Sequence, residues 1–130
     1  MDNWTPESVA IDIEQAAHTA RRLPGHLRLG YLNVWPEILR MAPERKPEEP
    51  RLYVAPSAQA LTHLLEVTRW MLWLDVESRH ILWMRADYCE WAQIARRVGC
   101  TVRTVQRRRH IALATLAERL NQRQRKCNYV

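Results

Sequence analysis

Apolar residues recur every three to four positions through most of the chain, the spacing of amphipathic helices that bury one face. This spacing predicts a first helix that begins after the capping hydroxyl of Thr5 and ends near Leu23. It predicts two further helices that begin after Ser57 and Asp75, residue types that favour N-caps. No strand-like alternation of useful length appears, so the sequence predicts an all-α protein.

Prolines divide the chain into regions. Residues 43–56, PERKPEEPRLYVAP, contain four prolines and mixed charges, which predicts a linker. Residues 1–42 are predicted to form a helical N-terminal region for dimerisation or partner contact, with a short second helix between Pro36 and Pro43. Residues 57–120 are predicted to form the principal helical domain, and residues 121–130 a basic tail.

Three tryptophans, Trp70, Trp73 and Trp83, lie among leucines at helical spacing. Indole rings can stack on nucleic-acid bases, but rings that share a helix face with leucines are more often core residues. We therefore expect these tryptophans to pack inside the protein. A surplus apolar face would then be covered by a second copy or another partner.

The composition argues against membrane insertion and secretion. Hydrophobic residues make up 47% of the chain, yet no apolar run approaches the ~18–20 residues of a membrane span. The N-terminus lacks the basic and apolar regions of a secretory signal. We therefore expect a folded cytoplasmic protein without membrane contact.

The cysteines and histidines do not suggest metal chemistry. Cys89, Cys100 and Cys127 are an odd number without CxxC spacing, and the five histidines form no ligand pair. Cys89 and Cys100 are expected to pack between helices as small apolar residues. No nucleophile–base pair or phosphate-binding glycine loop occurs, so neither catalysis nor a cofactor is expected.

The positive charge is concentrated at the C-terminal end. The chain carries a net charge of +6, but residues 1–56 sum to −1 and residues 57–95 to −2. Residues 96–130 hold ten Lys or Arg against the single acid Glu118, which gives +9. A charge concentrated in this way predicts a polyanionic partner bound through phosphate contacts.

A helix-turn-helix is predicted within residues 91–120, WAQIARRVGCTVRTVQRRRHIALATLAERL. Ala95 is small where two helices would cross closely, and Gly99, four residues later, suits a turn with positive φ. Thr101 is a good N-cap for the next helix, and Val105 lies ten residues after Ala95 on the face that would pack against the first helix. This spacing is typical of helix-turn-helix packing.

The predicted recognition helix covers residues 102–118 and would lie in the major groove of double-stranded DNA, so residues 57–120 are predicted to be the DNA-binding domain. Arginine pairs with guanine and glutamine with adenine through two hydrogen bonds, whereas hydroxyls and other arginines more often contact phosphate. The predicted base-reading residues are Arg103, Gln106, Arg107 and His110. The predicted phosphate contacts are Arg96, Arg97, Thr101, Thr104, Arg108 and Arg109.

A resemblance to region 4 of the sigma-70 family, and to a similar module of phage late-transcription regulators, covers residues 74–116. It rests on the hILxxR segment that ends at Arg85, the Ile94-Ala95 pair and the VGCT turn. The resemblance implies a promoter- or operator-binding regulator with RNA polymerase as a second partner.

The chain departs from region 4 at two positions and resembles a second group over its length. Gln93 stands where region 4 usually has an acid, and Arg109 where it often has an apolar residue. The chain, including GYLNVWPEILR at residues 30–40, also resembles an uncharacterised family of small prophage-encoded proteins from alphaproteobacteria.

The leading interpretation is a phage-type transcriptional regulator that acts as a homodimer. One alternative is a small terminase subunit that recognises DNA for packaging, which a ring of eight or more subunits would favour. Another is an interaction module that binds polymerase or a sigma factor without DNA specificity.

Overall fold

The computed structural model describes residues 3–23 and 55–128, and within these ranges the chain is all-α, as predicted. The short helix predicted between Pro36 and Pro43, and most of the linker predicted at 43–56, lie outside the described residues. The helices are α1 Pro6–Arg21, α2 Ala58–Met71, α3 Val76–Ala86, α4 Trp91–Val98 and α5 Val102–Asn128.

The predicted helix starts are confirmed by their capping hydrogen bonds. Thr5 Oγ1 accepts a hydrogen bond from Ser8 N at 3.2 Å, and Thr5 N donates one to Ser8 Oγ at 3.0 Å. Ser57 Oγ accepts from Ala60 N at 3.1 Å, and Asp75 caps α3 in the same way at 3.4 Å. Each cap satisfies a backbone N–H that lacks a partner in the first helical turn.

The larger hydrophobic core joins α1, α2 and the middle of α5, with two residues from α3. Val9 of α1 and Leu116 of α5 are both fully buried in it. Trp70 and Trp83 are buried there as predicted, whereas Trp73 is half-buried at the edge. The apolar face of α1 is thus covered within the same chain by helices from the region predicted to be a separate domain.

A second, smaller core lies between α3, α4 and the first turns of α5. Cys89 and Cys100 pack against it, which confirms the expected packing role. The two cores share α3 and α5, so neither is an independent folding unit. The residues buried in the smaller core are Ile81, Met84, Ile94, Ala95 and Val105.

The last helix is longer than predicted. The sequence predicted a helix over 102–118 and a basic tail at 121–130, but α5 continues without interruption to Asn128. Residues 119–128 contain no glycine or proline, and most are straight-chain residues with good helix propensity. Leu120 is also buried, and the side chain of Asn121 hydrogen-bonds the backbone of Trp4. Tertiary contacts therefore stabilise a segment that periodicity alone did not extend.

Helix α1 also holds the connection between α3 and α4. Arg21 Nε lies 3.1 Å from Asp87 Oδ1, and the Arg21 guanidinium lies over the Tyr88 ring at 5.5 Å. The Tyr88 hydroxyl donates a hydrogen bond to Glu14. Tyr88 has φ of 63°, a backbone conformation that few non-glycine residues adopt. These contacts hold α1 against the segment that connects α3 to α4.

Candidate nucleic-acid interface

The turn between α4 and α5 has the local geometry that its sequence predicts. Gly99 ends α4 with φ of 78° and ψ of 28°, and its N–H donates to Ala95 O at 2.9 Å. Cys100 N donates to the same carbonyl at 3.1 Å. Thr101 Oγ1 accepts from Thr104 N at 3.3 Å, so Thr101 is the N-cap of α5. These bonds set the direction in which α5 leaves α4.

Packing in the smaller core fixes the rotation of α5 about its axis. Ile94 and Val105 are fully buried, and Ala95 is 6% exposed where the two helices meet. Because α5 advances about 100° per residue, fixing Val105 against α4 fixes the direction of every other side chain in these turns.

The four predicted base-reading residues form one exposed row on the opposite side of α5 from Val105. Arg103, Gln106, Arg107 and His110 are all exposed and span an arc of roughly 100° of the helix. Within the described ranges, neither Arg103 nor Arg107 forms an ion pair with a carboxylate. The structure therefore brings these four residues together as a single polar surface, here called the reading row.

Two of the predicted phosphate-contacting arginines lie beside this row. Arg96 and Arg97 are exposed near the end of α4, and Arg96 Nε donates to Ala92 O at 3.4 Å. The hydroxyl groups of Thr101 and Thr104 lie 2.9 Å apart at the start of α5. These residues offer cations and hydroxyl donors on both sides of the α4–α5 turn.

Arg108 has a partner within the chain. Its guanidinium donates to the Glu77 carboxylate of α3, and both side chains are more than one-third exposed. This ion pair compensates the Arg108 charge and ties the first turn of α3 to α5. Arg108 therefore differs from Arg103 and Arg107, which form no ion pair within the described ranges.

Arg109 is half-buried and lies over the face of Trp91, with its guanidinium carbon 5.8 Å from the ring centroid. Arg85 lies over the same ring at 4.3 Å. Burial, and to a smaller extent the positive charge of Arg85, lower the pKa of Arg109 from its ordinary value. An aromatic ring thus packs with Arg109, although the guanidinium is charged. Sequence reasoning missed both Trp91 and Arg85, which come from other elements.

A second basic cluster lies on another side of α5. Arg119 and Arg123 lie over the ring of Trp73, which is in the turn after α2, at 5.6 and 5.7 Å from its centroid. Arg123 is also near Glu66, with 3.5 Å between Arg123 Nη1 and Glu66 Oε1. Viewed down the helix axis, these arginines lie about half a turn around from the reading row.

The described residues do not contain a cluster of three or more His, Cys, Asp or Glu side chains suited to a metal ion. No helix in these ranges is long and apolar enough to cross a membrane.

The fold and the site define an all-α protein that presents a basic, exposed helix face beside a tight interhelical turn. The chain matches a family described as a domain of unknown function (DUF6362) over residues 21–116 and belongs to that family. The match includes α2, α3, α4 and the first half of α5. No curated protein and no solved structure matches the chain.

Proposed function

We propose that this protein is a sequence-specific, duplex-DNA-binding transcriptional regulator of phage type, and that α4 and α5 form its helix-turn-helix. The observation that carries the proposal is the reading row, in which every member is exposed while Val105 behind it is fully buried. A helix presented in this way fits the major groove, which admits an α-helix and displays a distinct pattern for each base pair.

The chemistry of the row suits base recognition. Arg103 and Arg107 have planar guanidinium groups that can pair with guanine O6 and N7, and Gln106 can pair with adenine N6 and N7. His110 adds a further ring donor or acceptor at the far end. From Arg103 to His110 the helix rises about 10 Å, which is roughly three base-pair steps. One copy of the helix would therefore read about three to four base pairs.

The main phosphate contacts would come from Arg96 and Arg97, which are exposed in the last turn of α4. Thr101 and Thr104 would add hydroxyl donors at the N-terminus of α5, where the helix dipole also favours an anion. Arg108 and Arg109 would contribute less, because both are less exposed than Arg96 and Arg97.

Two sequence features support the proposal independently of the geometry. The charge of +9 on residues 96–130 would attract the phosphate backbone through release of counterions. The resemblance of residues 74–116 to sigma-70 region 4 supports promoter or operator binding, with RNA polymerase as a second partner. Polymerase contact is tested by whether the protein alters transcription from the site it selects.

The deciding experiment is selection of bound duplexes from a random pool, followed by affinity measurement across salt concentrations. We expect an enriched sequence, and an inverted repeat with half-sites about 10 base pairs apart if the protein binds as a dimer. Selection without enrichment would contradict the base-reading assignment.

A pair of charge-matched variants separates base reading from bulk attraction. Arg103→Ala with Arg107→Ala should weaken binding to the selected site by at least 30-fold, at about 1–3 kcal/mol per base contact. Arg119→Ala with Arg123→Ala removes the same charge from another side of α5 and should weaken binding far less. Equal losses in the two double variants would mean that only net charge matters, and the proposal would then fail.

A further inference from the structure

A cleft of about 200 Å³ lies between α1, α3 and α5, away from the reading row. Two arginines, Arg85 and Arg109, line it together with one acid, Glu14. The rest of its lining is apolar and consists of Ala10, Ile13, Leu82, Ala86 and Leu113.

The two arginines contact the same aromatic ring although they repel each other. The guanidinium carbons of Arg85 and Arg109 lie 4.3 and 5.8 Å from the centroid of the Trp91 ring. Arg85 Nη1 donates to Cys89 O at 3.2 Å. In the described part of the chain, neither arginine has a carboxylate at ion-pair distance. Glu14, the nearest acid in the cleft, accepts a hydrogen bond from the Tyr88 hydroxyl.

A half-buried cation with a like-charged neighbour is costly unless an anion offsets it. The pKa of Arg109 is lowered by burial and by Arg85, and the charge of Glu14 opposes this only in part. The cleft therefore has the electrostatic character of a site for an anion. Two arginines and one glutamate give the cleft a local charge of +1, which a single negative charge would balance.

We propose that this cleft binds a small organic monoanion, a carboxylate with a short aliphatic body. The carboxylate would lie against Arg85 and Arg109, because planar guanidinium groups match its two oxygens. The aliphatic part would lie against Ile13, Leu82 and Leu113. The volume admits about six non-hydrogen atoms, on the basis of about 30 Å³ for each water-sized group.

This site does not include any member of the reading row. Arg109 and the reading row lie about a third of a turn apart around α5, so an anion in the cleft would not occupy the groove-facing side. The inference does not rest on DNA binding, and a failure of either proposal leaves the other standing.

The test is calorimetric titration of the full chain at constant ionic strength with butyrate, neutral butyramide and inorganic phosphate. We expect butyrate to bind one per chain, with butyramide and phosphate at least tenfold weaker. No butyrate binding, or equal binding of butyramide, would overturn the proposal. Phosphate binding as tight as butyrate would overturn the organic ligand, because the apolar walls would then contribute nothing.

Variants locate the site. Arg109→Met keeps a long side chain against Trp91 and should weaken butyrate binding at least tenfold, whereas Arg125→Met, an equal charge change at an exposed position of α5, should leave it within twofold. Equal losses in both variants would refute the cleft assignment. If Arg109→Met does not fold, Glu14→Gln decides the matter: removal of the competing carboxylate should tighten binding severalfold, and unchanged or weaker binding overturns the proposal.

Discussion

Asn121 should be a strong local determinant of stability, although it lies in the segment that the sequence predicted to be a tail. Its Oδ1 accepts from Trp4 N at 2.7 Å and its Nδ2 donates to Trp4 O at 3.0 Å, so one amide satisfies both backbone groups of a distant residue. The Trp4 ring in turn meets Trp70 edge to face, with 5.2 Å between ring centroids. Asn121→Ala removes both hydrogen bonds and loosens this aromatic contact.

The expected loss in the free energy of unfolding is about 1–3 kcal/mol for the two hydrogen bonds, plus up to ~1 kcal/mol if the aromatic pair separates. For a chain of 130 residues, an unfolding entropy of ~2.1 cal/mol/K per residue gives about 4 °C for each kcal/mol. Asn121→Ala should therefore lower Tm by roughly 4–15 °C.

Thermal and urea unfolding followed by circular dichroism measure this effect, with an unchanged urea m-value as a check on two-state behaviour. Gln122→Ala is the matched control, because Gln122 is exposed and adjacent, and its substitution should shift Tm by less than about 2 °C. If Asn121→Ala shifts Tm no more than Gln122→Ala, the N-terminal segment is not held by α5 and the reasoning is wrong.

Three further expectations each concern a single residue. In Gly99→Ala the added Cβ meets no atom within 4 Å, so the expected loss in the free energy of unfolding is the backbone strain at φ of 78° alone, about 1–2 kcal/mol. Gly99→Asn should recover part of this loss in the same urea titration. Leu116→Ala opens a cavity at a fully buried position and should cost about 2–5 kcal/mol; a loss below 1 kcal/mol would show that this part of α5 is not packed. The Asp75 pKa is lowered, chiefly by its hydrogen bond with Ser78, so its stabilising effect is present above the unfolded pKa and is lost as pH falls through the folded pKa. Asp75→Asn should lessen the decline in stability between about pH 5 and pH 3, and an unchanged acid limb would contradict this assignment.

Local signals in the sequence were sufficient for the helix starts and the α4–α5 turn. Thr5, Ser57 and Asp75 act through hydrogen bonds to residues three positions away, and Gly99 acts through its own backbone. These interactions involve only neighbouring residues, so the amino-acid sequence of a short segment is enough to predict them. The exposure of the reading row follows from the same periodicity once Val105 is placed inside.

The features that were missed depend on residues far apart in the chain. The contact of Asn121 in α5 with Trp4 joins residues 117 positions apart, and the periodicity of the sequence could not reveal it. The position of Arg109 depends on Trp91 and Arg85, which converge only after α3, α4 and α5 pack together. Sequence reasoning saw an arginine in place of an apolar residue but had no means of finding the ring that covers it.

The separation of exposed and buried positions on α5 has a consequence for how such a protein can evolve. Residues of the reading row contribute little to the core, and substitutions at exposed sites of this kind usually change stability by less than about 0.5 kcal/mol. If the proposed function is correct, a lineage could exchange Arg103, Gln106, Arg107 or His110 and acquire a new target sequence while the fold stays intact. Arg108 and Arg109, which hold other helices in place, would not have that freedom.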